Sequence, residues 1–118
     1  MADSQLFIWM RILVRYLRSD QPDLSNLQIA LLLLVCMTPG PHSLRDLAQQ
    51  LRAPKSVASR GLSKLAKLGL LQQGRDERER RKSLIQPTAE GLAFVDRLSR
   101  TITAKGLDND GGSPAAGA

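Results

Sequence analysis

Apolar positions along the chain gather into blocks separated by turn-forming residues, and the spacing inside each block predicts an element. In residues 6–18, ten of thirteen are apolar, and the exceptions Arg11, Arg15 and Arg18 fall at i, i+4 and i+7, one stripe on a helix. Asp3 or Ser4 suits its start. A surface helix on a small monomer shows a wider polar face. Such a helix either inserts into the core or is buried against a second copy. The small domain favours the copy, with Leu6, Trp9, Leu13 and Tyr16 as dimerisation residues.

Gln21-Pro22 breaks the chain, and Ser25-Asn26-Leu27-Gln28 fits the capping box S-x-x-Q, predicting a helix to about Met37. Pro39-Gly40-Pro41 ends it. Ser43-Leu44-Arg45-Asp46 is a second capping signature, leading a short helix with Leu44, Leu47, Ala48 and Leu51 on one face. Pro54 suits the first turn of a further helix reaching Leu68, where Gly69 stands as its C-cap glycine. Residues 70–73 and 83–86 are short strand candidates forming a hairpin with a long charged loop. Pro87 ends the second strand. Thr88 then caps a last helix with Glu90 in its first turn and Leu92, Phe94, Val95, Leu98 and Ile102 facing inward. It fades near Lys105, and residues 106–118, GLDNDGGSPAAGA, read as a disordered tail. No internal repeat is visible.

Two short helices joined tightly, 43–51 and 54–68, match a helix-turn-helix in length and order, and the hairpin after them supplies a wing. At about 100° per residue, Val57, Ala58, Gly61, Leu65 and Leu68 share one side of the second helix. Ser56, Ser59, Arg60, Ser63, Lys64 and Lys67 share the other, with Lys55 leading them. That face has no acid, and its hydroxyls and cations are the groups that bond phosphates and base edges in a major groove. A solvated basic face explains an isolated helix equally well. The neighbouring turn and hairpin weigh against it.

The charge map weighs against it too. Seventeen basic and eleven acidic residues give +6 over 118 residues, about one domain. Residues 52–82 hold ten basic residues and three acids, a net of +7, so the rest of the chain is slightly acidic. An anionic partner follows. Within this segment lies GRDERERRKS, residues 74–83. Its wing cations Arg75, Arg78, Arg80, Arg81 and Lys82 would lie beside the flanking minor groove, where an arginine tip enters most favourably. Asp76, Glu77 and Glu79 would pair with Arg78 and Arg81 to shape the loop, leaving Arg80 to point out.

Three motifs in order resemble the MarR-type winged helix-turn-helix regulators. Arg60 to Leu71 gives R-x-L-x-x-L-x-x-x-G-L-[IVL], Asp76 to Arg81 gives D-x-R-[DE]-x-R, and Thr88 to Gly91 gives T-x-x-G. The resemblance covers about residues 25–98. It implies a homodimeric, sequence-specific regulator of transcription on double-stranded DNA, with Arg60 as the recognition-helix arginine and Arg80 at the wing tip. It also implies a dimer built by the terminal helices, which adds Phe94, Leu98 and Ile102 to the dimerisation set. Family members usually carry a further C-terminal helix, whereas here the chain turns to Gly, Asp and Ala, so a smaller or differently built dimer is expected. Pro87 stands where an apolar strand residue is common, and Glu79 where Asp is. The short last helix and only four aromatics weigh against a small-molecule effector pocket.

The expected fold is therefore mainly α (α+β): a single winged helix-turn-helix domain over residues 1–105, with about five helices and a two-stranded β-hairpin wing. Its site is a pseudo-palindrome. An enzyme is the least favoured class, because His42 stands alone in a Pro/Gly turn as a solvated loop residue. No nucleophile set or phosphate-binding glycine loop is present. Cys36, the single cysteine, excludes an intrachain disulfide and a Cys-based zinc site and reads as a buried small hydrophobe. No cofactor or metal is expected, and no membrane: apolar runs are short, and Arg11 and Arg15 spoil a signal peptide. A reducing, cytoplasmic, nucleoid-associated location follows. The alternative reading is a winged-helix module that binds protein or associates with DNA without reading its sequence.

Overall fold

A computed structural model of the chain describes residues 3–75 and 83–102. Among them are five helices and three short strands: α1 (Asp3–Arg18), α2 (Asn26–Met37), β1 (His42–Ser43), α3 (Leu44–Leu51), α4 (Lys55–Lys67), β2 (Leu71–Arg75), β3 (Ser83–Pro87) and α5 (Ala89–Ile102). The mainly α architecture with a β wing is the one the sequence predicts. The chain divides into two compact units, Leu24–Val95 and the terminal segments Met1–Asp23 with Asp96–Ala118.

In the central unit α2 is the pillar. Its capping box forms as predicted: Ser25 Oγ accepts from the Gln28 N–H at 3.1 Å, and Gln28 Oε1 accepts from the Ser25 N–H at 2.9 Å. The helix is apolar nearly all round and packs against α3, α4 and β3, burying Leu31, Leu32 and Val35. Leu24, Leu47, Ala48, Ala58, Leu62, Leu65, Leu70, Leu71, Ile85 and Phe94 join them in the core. Each large aliphatic side chain buried there stabilises the unit by about 1.5–3 kcal/mol. Leu62 belongs to this core although the predicted inward set of α4 omits it, whereas Leu68 from that set is exposed.

The sheet is antiparallel in the order β1-β3-β2, with three strands in place of two. Leu71 pairs with Pro87 and Arg75 with Ser83, so Pro87 is the last residue of β3 instead of its terminator. The added strand is β1, whose His42 and Ser43 pair with Ile85 and Leu84. This pairing corrects the reading of His42 as a solvated loop residue. Its side chain is 6% exposed, and Nε2 lies 3.1 Å from the Thr38 carbonyl oxygen, an acceptor, so that nitrogen carries the proton.

In the terminal unit, α1 shows side chains of opposite character. Ile12 is buried, and the Tyr16 hydroxyl donates to the Pro22 carbonyl. Leu6, Phe7, Ile8, Trp9 and Met10 are all exposed. Five consecutive helical positions sweep the full circumference, so this stretch of α1 presents apolar surface on every side in a single chain. No described helix is long and apolar enough to cross a membrane.

Candidate nucleic-acid interface

The helix-turn-helix is set by two C-terminal caps. At the end of α3, Arg52 takes a left-handed conformation (φ 51°), and the N–H groups of Arg52 and Ala53 donate to the carbonyls of Gln49 and Ala48. Glycine is the usual residue for such a backbone. Here the turn carries an exposed cation, which the charge map counts and no motif singles out. Pro54 follows as the N-cap of α4, one position earlier than the predicted first turn, and offers no side-chain cap bond. With no acid in that first turn, the positive end of the α4 dipole is left uncompensated beside Lys55 and Ser56.

Along α4 the two predicted faces separate apart from Leu68, which is exposed, and Val57, which is half-buried. Ala58, Gly61, Leu62 and Leu65 are buried against the unit, and an added Cβ at Gly61 would meet Leu31 Cδ1 at 2.8 Å. Lys55, Ser56, Arg60, Ser63, Lys64 and Lys67 are exposed, while Ser59 is half-buried at the edge of the face. None of these cations is ion-paired among the described residues. The face therefore offers hydroxyl and cationic donors with no carboxylate of its own helix to compete for them.

At its other end α4 closes in a Schellman motif. Gly69 (φ 78°) donates to the Ala66 carbonyl at 3.0 Å and Leu70 to the Leu65 carbonyl at 2.9 Å, as the C-cap glycine requires. The chain then enters β2 and the wing. Arg75 closes β2, but its side chain and residues 76–82 lie outside the described residues, which takes in Arg78, Arg80, Arg81 and Lys82 together with the pairing expected of Asp76, Glu77 and Glu79.

The last helix departs from its predicted inward side at one described position, while Val95 and Leu98 are half-buried as expected. Phe94 is 4% exposed and belongs to the core of a single chain, whereas Leu92, expected inward, is 48% exposed. Phe94 thus has little surface left for a second copy. Leu98 is half-buried, as are Leu13 and Tyr16; Leu6 and Trp9 are 65% and 44% exposed, and the Ile102 side chain is outside the description. Thr88 caps α5 as predicted, accepting from the Gly91 N–H at 2.9 Å. Its hydroxyl also donates to the Gly69 carbonyl at 2.6 Å, a bond no local pattern announces because nineteen residues separate the partners. Cys36 is half-buried, and burial pushes its thiol above the ordinary range.

The fold has relatives among solved structures. The transcriptional regulator Tm0710 from Thermotoga maritima is similar at a TM-score of 0.74, with 16% identity over 97% of this chain and 79% of that one. CouR, a transcriptional repressor bound to a 23-mer DNA duplex, is similar at 0.69, with 21% identity over 92% and 73%. A MarR-family regulator from Rhodococcus sp. RHA1 is similar at 0.60, with 22% identity over 74% and 60%. The chain spans 65% of the length of ZitR from Lactococcus lactis and 60% of the Rhodococcus regulator. No curated protein sequence matches it significantly. The profile of one family, the winged helix DNA-binding domain, matches residues 24–91, which include both helices of the helix-turn-helix, the wing and the Thr88 cap. With more than half its length matched, and with the fold of the MarR-type regulators, the chain belongs to the winged helix DNA-binding domain family.

Proposed function

We propose that this chain is a sequence-specific regulator of transcription that binds double-stranded DNA as a homodimer. In this reading α4 enters the major groove, Arg60 reads a base edge, and Lys55, Ser56, Ser59, Ser63, Lys64 and Lys67 hold the flanking phosphates and edges. The wing lies along the next minor groove with Arg80 at its tip. The observation that carries the proposal is the exposed, acid-free face of α4 on a helix whose other face is locked into the core. The capture of CouR on a duplex supports the same class of ligand for this fold.

The dimer rests on α1. Leu6, Phe7 and Trp9 are 65%, 50% and 44% exposed, a cost that a second copy would remove. Two α4 helices related by a two-fold axis would address half-sites about one helical turn apart, hence a pseudo-palindrome. The test is a titration of mixed-sequence duplex at rising salt, followed by selection from a random pool. For each phosphate neutralised, log K should fall by about 0.9 per tenfold rise in salt, and selection should return a symmetric site. A folded chain that ignores every duplex at low ionic strength refutes the proposal.

A further inference from the structure

Gly69 and Leu70, two of the three residues between the recognition helix and the wing, have every backbone polar group committed. Their N–H groups point back and close the last turn of α4 on Ala66 and Leu65. Their carbonyls point forward and are taken by one residue: the Thr88 N–H approaches the Leu70 oxygen at 3.4 Å, and the Thr88 hydroxyl donates to the Gly69 oxygen at 2.6 Å. These contacts continue the β2–β3 ladder past its last pair, Leu71 with Pro87. The same hydroxyl oxygen accepts from the Gly91 N–H and so starts α5. Gly91 makes the approach possible, because a Cβ there would stand 2.0 Å from the Leu70 oxygen.

From this geometry we infer that Thr88 is a positioning residue: its hydroxyl latches the end of the recognition helix to the base of the wing and to the first turn of α5, fixing the spacing of the two elements that meet DNA. The inference rests on the proposed function. Without the latch, α4 and the wing still form and still share the core, but the angle between them is held less tightly. A selected site needs both elements in register, whereas binding to random sequence tolerates the variation.

The chemistry of position 88 separates a latch from a helix cap. A cap needs only an acceptor for the Gly91 N–H, and aspartate supplies one at least as well as threonine. The latch needs a donor toward the Gly69 carbonyl, which an ionised carboxylate lacks. Thr88→Ser keeps both roles, Thr88→Asp keeps the cap alone, and Thr88→Val keeps neither.

The experiment uses the full chain and two probes: a duplex selected by the wild-type protein from a random pool, and a mixed-sequence duplex of equal length. Both are titrated where circular dichroism reports full folding, with amide hydrogen exchange measured in parallel without DNA. Thr88→Ser should match wild type. Thr88→Asp should keep Gly91 protected, speed exchange at Gly69 and Leu70, and shrink the preference for the selected duplex by about tenfold. A new negative charge alone weakens both duplexes alike and leaves that ratio unchanged. A wild-type chain that binds neither probe overturns the DNA-binding reading. A wild-type chain that discriminates beside a Thr88→Asp variant that discriminates equally overturns the latch alone.

Discussion

Replacing Gly91 with alanine asks the first turn of α5 to admit one methyl group where the backbone of another segment already stands. The new Cβ would lie 2.0 Å from the Leu70 carbonyl oxygen and 3.0 Å from its carbon, whereas ordinary contact starts at 3.4 Å. Leu70 cannot simply rotate away, since its N–H is held by the Leu65 carbonyl. The segments must part by more than an ångström, stretching the bonds of Thr88 to Gly69 and Leu70. Overpacking of this kind costs about 1–3 kcal/mol, and a lost hydrogen bond adds about 1 kcal/mol. The better helix propensity of alanine returns up to about 1 kcal/mol. A net loss of roughly 2–3 kcal/mol follows, which lowers Tm by roughly 10–20 °C in a domain of this size. Gly61→Ala is the matched control. Its Cβ would press on Leu31 Cδ1 at 2.8 Å, the far end of a side chain that can turn, so overpacking and propensity nearly cancel. Thermal unfolding followed by far-ultraviolet circular dichroism reads both variants. Gly61→Ala melting lower than Gly91→Ala, or Gly91→Ala melting within a few degrees of wild type, refutes the reasoning.

Four further outcomes are expected. Arg60→Ala should lower affinity for a selected duplex by roughly 1–3 kcal/mol and relax sequence preference, while Lys67→Ala weakens all duplexes alike; equal losses on selected and random DNA in a binding titration would end base readout by Arg60. Phe7→Glu places a charge on the exposed apolar stretch of α1 and should shift sedimentation toward monomer, with an unfolding midpoint that no longer depends on protein concentration. His42→Ala removes a buried ring and its bond to Thr38, so denaturant titration should show a loss of about 1–3 kcal/mol, where a solvated loop residue would show none. Burial raises the Cys36 thiol pKa, so the folded state holds that proton more tightly than the unfolded one. Its contribution is intact below the ordinary thiol value of about 8.5 and is lost as pH rises through the folded pKa, and alkylation should need a higher pH than free cysteine does.

What the sequence disclosed was whatever is decided within one or two turns of chain. The Ser25 box, the Gly69 cap and the Thr88 cap are contacts between residues at most five apart, so the residue types that make them sit together in the sequence and can be read there. The two faces of α4 follow equally from a single helical period. What stayed hidden was settled by partners distant in the chain. Two residues cannot show a strand alternation, so β1 exists only through its pairing with β3, and His42 looked like turn decoration until that pairing buried it. The one misplaced residue of α5, Leu92, went wrong for a related reason. Counting leucines put Leu92 inside, but the innermost position of that first turn is Gly91, where the Leu70 carbonyl comes too close for any side chain. With Gly91 innermost, Phe94 stays in the core as expected and Leu92 points out. Gly61 marks a milder close approach, where α4 meets the end of the Leu31 side chain on α2. Hydrophobic periodicity weighs the atoms that are present, whereas the closest approaches here are marked by atoms that are missing. In a small helical domain, a glycine on the apolar side of a predicted helix is therefore better evidence for the centre of its buried face than the leucine beside it.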